Sequence, residues 1–313
     1  MRVVFFATPD FAVPSLRALL GEGHDVIAVV TQPDRPAGRG RKLQPSPIKQ
    51  IAEQEMIPVL QPEKARAPEF LEALQQHEAD VNVVVAYGQI LPRSVLEVWP
   101  RGSLNVHASL LPELRGAAPI NWAIDRGYER TGVTIMRMVE KMDAGPVLLQ
   151  VEEPIGADET ASDLWARLSE IGAEALIEAL ALIEADDIVA IEQDEALATY
   201  APRITREDAR IDWTRSTGDV ARRIRAMDDM PGAWTLHEGE PLKLYRPLVA
   251  ARTHHEEPGT VLVAEPLDPV NSMLVACGSG ALWVREVKPA GRRRMATNEW
   301  LRGRAIAVGA RLG

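Results

Sequence analysis

Cys277 is the only cysteine in 313 residues and lies in the apolar run Leu274 to Cys277, so neither an intrachain disulfide nor a thiolate metal cluster can form. A reducing compartment suits such a chain. The opening run from Met1 is broken at Pro9, too short for a signal h-region or a bilayer span. A cytoplasmic location without a membrane partner is expected. Glycine-rich phosphate loops are missing too. The first strand-like segment is followed by Thr8-Pro9-Asp10, and Gly38-Arg39-Gly40 has no third glycine, so the dinucleotide fingerprint fails and a dehydrogenase is excluded. No glycine-lysine loop of the ATP-binding kind occurs. The six histidines show no zinc-ligand spacing beyond His254-His255 in an acidic stretch, and no metal is expected. Neither Cys277 nor Ser109 sits in a Gly-x-Ser-x-Gly context, so nothing marks an enzyme nucleophile.

What is present is an ordinary globular composition, 46% hydrophobic and 26% charged, in a length that suits two domains. The net charge of −10 opposes sequence-independent nucleic-acid binding, which depends on Lys and Arg neutralising phosphates. The charge is uneven, however. From Leu274 onward eight basic residues face two acidic ones, a surplus of six that leaves −16 on the first 273 residues. Such asymmetry fits a polyanionic partner at the basic end, although a solvated basic surface has the same composition.

Arg2 to Ala7 and Asp25 to Thr31 read as strands, with a helix from Phe11 to Leu20 between them. Val81 to Ala86 is an apolar, β-branched run of the kind buried on both faces of a parallel sheet, and Leu104 to Ala108 resembles it. Strands alternating with helical stretches imply βαβ units, hence an α/β fold with a doubly wound, mostly parallel sheet. Thr160 and Asp163 form a capping box opening a long helix that should end near Asp186. Residues 1–186 are therefore expected to form one α/β domain. Residues 187–208, without a clear period, should be a linker. From 209 to 313 short apolar runs (Leu242 to Leu244, Thr260 to Ala264, Met273 to Ala276, Ala281 to Val284) alternate with Gly, Pro and Asp. They predict a smaller antiparallel domain, an OB-like β-barrel.

Asn105 and His107 stand at i and i+2 in a strand that should be apolar throughout, so they share a face near its carboxyl end, where open α/β sheets place ligands. A hydrogen-bonded core histidine beside a structural asparagine would look the same. Asp143 precedes the turn Ala144-Gly145-Pro146 and could return its carboxylate to the sheet edge, or could simply close a local Asx turn.

At Asn105, His107 and Ser109 to Pro112 the sequence resembles the folate-dependent formyltransferases. The likeness extends through Thr8 to Pro14, Thr31 to Gly40, Ala86-Tyr87-Gly88, Arg115 to Ile120, Thr131 to Met136, Thr199 to Pro202 and Pro231 to Trp234. The arginine-bearing stretch after the second strand and the second domain resemble the tRNA-specific branch. The resemblance implies a Rossmann-like catalytic domain and transfer of the formyl group of 10-formyltetrahydrofolate to the amino group of methionyl initiator tRNA. It implies Asn105, His107 and Asp143 as the catalytic trio and Ser109, Leu110, Leu111 and Pro112 at the folate site. Two tRNA-binding groups are expected: Arg35, Arg39, Arg41 and Lys42 in a loop from Pro33 to Pro47, and Lys288, Arg292, Arg293 and Arg294 in the basic end. A monomer is expected. Glu113-Leu114 and Met227 to Met230 depart from the family pattern. Two other readings are formylation or deformylation of a small molecule, and a catalytically silent nucleic-acid-binding protein on the same scaffold.

Overall fold

The computed structural model describes residues 1–37, 42–303 and 306–313. In chain order the strands are β1 (Arg2–Ala7), β2 (Asp25–Val30), β3 (Arg35–Ala37), β4 (Lys42–Gln44), β5 (Val59–Leu60), β6 (Val81–Val85), β7 (Ser103–His107), β8 (Arg130–Arg137), β9 (Val147–Pro154), β10 (Trp234–His237), β11 (Glu240–Ala250), β12 (Val261–Ala264), β13 (Met273–Ala276), β14 (Ala281–Pro289) and β15 (Met295–Ala296). The helices are α1 (Val13–Gly21), α2 (Pro47–Gln54), α3 (Pro68–Gln75), α4 (Arg93–Leu96), α5 (Pro119–Asp125), α6 (Ala161–Glu184), α7 (Thr217–Ala226) and α8 (Thr297–Gly303). Two compact units result. One holds residues 1–119, 130–154 and 165–201, and the other holds 120–129, 155–164 and 202–313.

The first unit is built on a seven-stranded sheet in the order β5-β2-β1-β6-β7-β8-β9, parallel except at β8 and β9. The chain winds from β1 outward to β5, then returns to β6 beside β1. This is the doubly wound pattern that the alternating strand and helix signals predict. β1 is buried from Val3 to Ala7 because helices cover both faces. On one face Val4, Phe6, Ala28, Val30 and Val84 pack with Phe70 and Leu74 of α3, each large apolar side chain contributing about 1.5–3 kcal/mol by leaving water.

β7 shows how its pleat sorts side chains. Gly172 of α6 lies so close to the sheet that an added Cβ would come within 2.9 Å of Val106 Cγ1. Val106 therefore faces α6, and the alternate residues Asn105 and His107 face the opposite side. The capping box forms: Thr160 Oγ1 donates to Asp163 Oδ2 at 2.7 Å and accepts from the Asp163 backbone N–H at 3.2 Å. The helix expected from Phe11 begins as a short 3-10 turn, Asp10–Ala12, and becomes α-helical at Val13. Pro14, which lacks an N–H, then falls in the first turn, where none is needed.

The stretch 187–208 is partly structured. Ile191 bridges Val147, Tyr200 bridges Arg115, and residues up to Ala201 belong to the first unit. In the second unit an antiparallel sheet runs β10-β11-β14-β13-β12, with β15 paired to β14. Residues 309–313 join its two edges. Gly309 N–H donates to Val261 O of β12, and Gly313 N–H donates to Leu236 O of β10, at 2.8 and 3.0 Å. The sheet is thereby curled into a barrel-like form, which leaves few unpaired edge groups.

Candidate active site

His107 ends β7 and is 6% exposed; Asn105, two residues earlier, is 9% exposed. Asp143 comes from the loop between β8 and β9 and adopts φ +50°, a left-handed conformation that aspartate tolerates better than most residues. Its Oδ2 lies 3.9 Å from His107 Nδ1, within ion-pair range but too long for a direct hydrogen bond. The same oxygen accepts the Gly116 backbone N–H at 2.8 Å. The three residues that the resemblance implied are therefore gathered at one place.

The other side of the His107 ring is held by the backbone. Its Nε2 lies 3.1 Å from the Leu114 carbonyl oxygen. A carbonyl can only accept, so Nε2 carries the hydrogen and Nδ1 is the ring atom directed toward Asp143. Leu114 itself is 1% exposed with φ +58°. One of the two departures from the family pattern thus supplies a backbone group that fixes the imidazole. Among the described residues none hydrogen-bonds the Asn105 amide, so its donors are free for a bound molecule.

The segment Ser109 to Pro112 is held from below. Thr134 Oγ1 donates to Ser109 O at 2.6 Å and accepts the Leu111 N–H at 3.1 Å, while Gln150 Nε2 donates to both Leu111 O and Thr134 Oγ1. Ser109 Oγ donates to Glu113 O at 2.6 Å. These polar groups are all engaged within the chain, so the segment Ser109, Leu110, Leu111 and Pro112 is fixed in place. Large apolar side chains are exposed in the loop that carries Asp143: Val139 at 43% and Met142 at 59%.

Arg35 lies in β3 and Lys42 in β4, strands paired as a two-stranded ribbon; Arg39 and Arg41 lie outside the described residues. In the second unit Lys288 is in β14, and Arg292 and Arg293 are exposed in the following turn. Arg294 differs from them. It is half-buried between Asp228 and Glu286, at 2.7 and 2.5 Å, with its guanidinium 4.0 Å from the centre of the Tyr245 ring. Of the three consecutive arginines, two reach outward and one ties the barrel together. The Asp228 carboxyl is raised above its ordinary pKa by burial, and Arg294 opposes that shift. Sequence reasoning gave no structural role to Gly116, Thr134 and Gln150, which do not stand out by residue type or spacing, and marked Leu114 only as a departure from the family pattern.

An open α/β sheet carrying a free amide donor, an imidazole and a carboxylate beside the end of a central strand is an arrangement able to stabilise a developing oxyanion and move a proton, as acyl transfer without a nucleophilic side chain requires. The comparisons give that class a family. The family described as Formyl transferase matches residues 1–180, and the one described as Formyl transferase, C-terminal domain matches residues 203–305. The methionyl-tRNA formyltransferase of Geobacter sulfurreducens is 46% identical, over 100% of this chain and 97% of that protein. That of Methylococcus capsulatus is 47% identical over 100% of both. Among solved structures, HypX from Aquifex aeolicus in complex with tetrahydrofolic acid matches 96% of this chain and 47% of its own, with TM-score 0.68 and 21% identity. The methionyl-tRNA formyltransferase of Clostridium thermocellum matches 80% of this chain and 94% of its own, with TM-score 0.59 and 15% identity. These two structures show the fold. The chain belongs to the formyl transferase family.

Proposed function

We propose that this enzyme transfers the formyl group of 10-formyltetrahydrofolate to the amino group of methionyl initiator tRNA, in the cytoplasm, supplying formylmethionyl-tRNA for translation initiation. The observation that carries the reading is the convergence of Asn105, His107 and Asp143 in one buried corner. Full-length similarity to relatives of that name supports the substrate pair. The folate site is placed beside Ser109 to Pro112, which follow directly on His107, and exposed Val139 and Met142, on the loop that carries Asp143, offer apolar surface for its rings. The folate supplies the activated formyl group when bound.

In this reading the methionine amine attacks the formyl carbon directly, and negative charge grows on the formyl oxygen. Asn105 Nδ2 donates to that oxygen, and so does His107 Nδ1 when the ring is the imidazolium, since His107 Nε2 is already held by Leu114. Losing one such donor costs about 2.7–4 kcal/mol of barrier. Asp143, steadied by the Gly116 N–H, takes the proton that the amine loses and passes it toward N10 as the C–N bond breaks. The second unit holds the tRNA through Lys288, Arg292 and Arg293, with Arg35 and Lys42 of the first unit, and Arg39 and Arg41 outside the described residues, meeting the acceptor end. The chain acts as a monomer, with residues 1–186 as catalytic domain, 187–208 as linker and 209–313 as tRNA-binding domain.

The test is product mass. Incubation with 10-formyltetrahydrofolate and methionyl-tRNA should add one formyl group to the aminoacyl end, while small amines at equal concentration should remain unmodified. Formylation of a free amine in preference to the charged tRNA would overturn the substrate assignment.

A further inference from the structure

Arg115 is 1% exposed, one of the largest side chains in the molecule to be so fully enclosed. A guanidinium there needs partners, and it finds them about 80 residues away in sequence. Its Nε and Nη2 donate to Gln193 Oε1 at 3.0 and 2.8 Å, and its Nη1 meets Glu195 Oε1 at 3.0 Å. This fixes which way the Gln193 amide points, because arginine only donates. The Gln193 Nε2 then donates to two backbone carbonyls, Asp143 O at 2.9 Å and Gly145 O at 2.7 Å. Glu195 in addition takes Lys141 Nζ at 2.6 Å. Both residues of the 187–201 stretch therefore grip the loop that carries Asp143, and both are anchored to one buried arginine.

We infer that Gln193, oriented by Arg115, is a positioning residue for formyl transfer: it clamps the left-handed turn at Asp143 and so sets the carboxylate against Gly116 and His107. This rests on the proposed role of Asp143. Its effect is on the rate of the chemical step, since neither Gln193 nor Arg115 contributes a group to the site itself. A misplacement of about 1 Å by a remote change can cost about 10²-fold in rate.

Gln193→Glu separates this role from a merely structural one. The carboxylate keeps, and strengthens, its pairing with Arg115, yet presents an acceptor to two carbonyls that need a donor. The expected result is a lowered melting temperature, because two carbonyls lose their donor, and, at a temperature where the variant is folded, unchanged KM for both substrates and a single-turnover rate lower by about 10 to 10²-fold. Gln193→Met, which removes both roles without adding charge, should show the same loss of rate. In an Asp143→Asn background the Gln193→Glu change should have no further effect, because the two act through one group. A slow Asp143→Asn enzyme combined with a normal Gln193→Glu and Gln193→Met rate would overturn the clamp alone. A normal Asp143→Asn rate would overturn the catalytic reading and the clamp with it.

Discussion

Gly116 is where backbone geometry and chemistry meet most tightly. Its φ is +123°, and an added Cβ would lie 2.6 Å from Ala201 O and 3.2 Å from Ala201 C. Neither atom can step aside easily. Ala201 is tied on both sides, its N–H donating to Arg115 O at 2.7 Å and its carbonyl accepting the Ala118 N–H at 3.2 Å. In Gly116→Ala the unfavourable φ costs about 1–3 kcal/mol, and relieving the overlap costs about 1–3 kcal/mol more. At about 2–4 °C per kcal/mol for a unit of this size, the melting temperature should fall by about 5–20 °C. The strain also has a chemical consequence. Gly116 can relieve it only by moving, which stretches the 2.8 Å hydrogen bond to Asp143 Oδ2. The rate of formyl transfer, measured well below the melting transition where the variant is folded, should therefore drop about tenfold or more. Calorimetry and single-turnover rates at low temperature are the assays. A melting temperature within about 1 °C of the parent, together with a parental rate, would refute the reasoning.

Three other perturbations read different parts of the structure. Thr134→Val keeps the shape but strands the groups that meet Thr134 Oγ1 beneath Ser109 to Pro112; about 1–3 kcal/mol per stranded group should appear as a lower melting temperature. Changing Lys288, Arg292 and Arg293 together to Gln should flatten the dependence of log K for tRNA on log salt by roughly 0.7 to 0.9 for each phosphate that is no longer neutralised. Arg294→Gln should leave that slope alone and destabilise the fold, because buried Asp228 loses its close cationic partner while Glu286 keeps only Arg246; the opposite pattern would reassign the loop. The Cys277 thiol is buried and pushed up to about 11 from 9.0 by that burial, so a disulfide reagent at pH 8 should label it only after unfolding. Its folded value lies above its unfolded one. The stability it contributes is therefore intact below pH 9 and lost toward pH 11, by about 2–3 kcal/mol at most, and a Cys277→Ala chain should lack that component in alkaline melts.

Hydrophobic pattern made the first unit legible: β1, β6 and β7 are runs buried on both faces, and the capping box at Thr160 marks the start of α6. The pair Asn105 and His107 was visible because two polar residues broke an apolar strand. What holds His107 and Asp143 was not visible. Leu114 acts through its carbonyl and Gly116 through its N–H, groups that every residue but proline carries. Gln193 acts through a fold-dependent meeting with Arg115, for which spacing gives no sign. The three arginines 292 to 294 read alike as charge. The carboxylates that enclose Arg294 lie 66 and eight positions away, and only the fold brings both to it.

In the proposed mechanism His107 serves the formyl oxygen far more than it serves the fold, and His107→Ala tests this most directly. Single-turnover transfer from 10-formyltetrahydrofolate to methionyl-tRNA should be measured beside folate binding and a melting curve on the same preparation. The expected rate is about 10²-fold lower or more, with folate affinity and melting temperature near those of the parent. A near-parental rate in a well-folded His107→Ala enzyme would contradict the assignment.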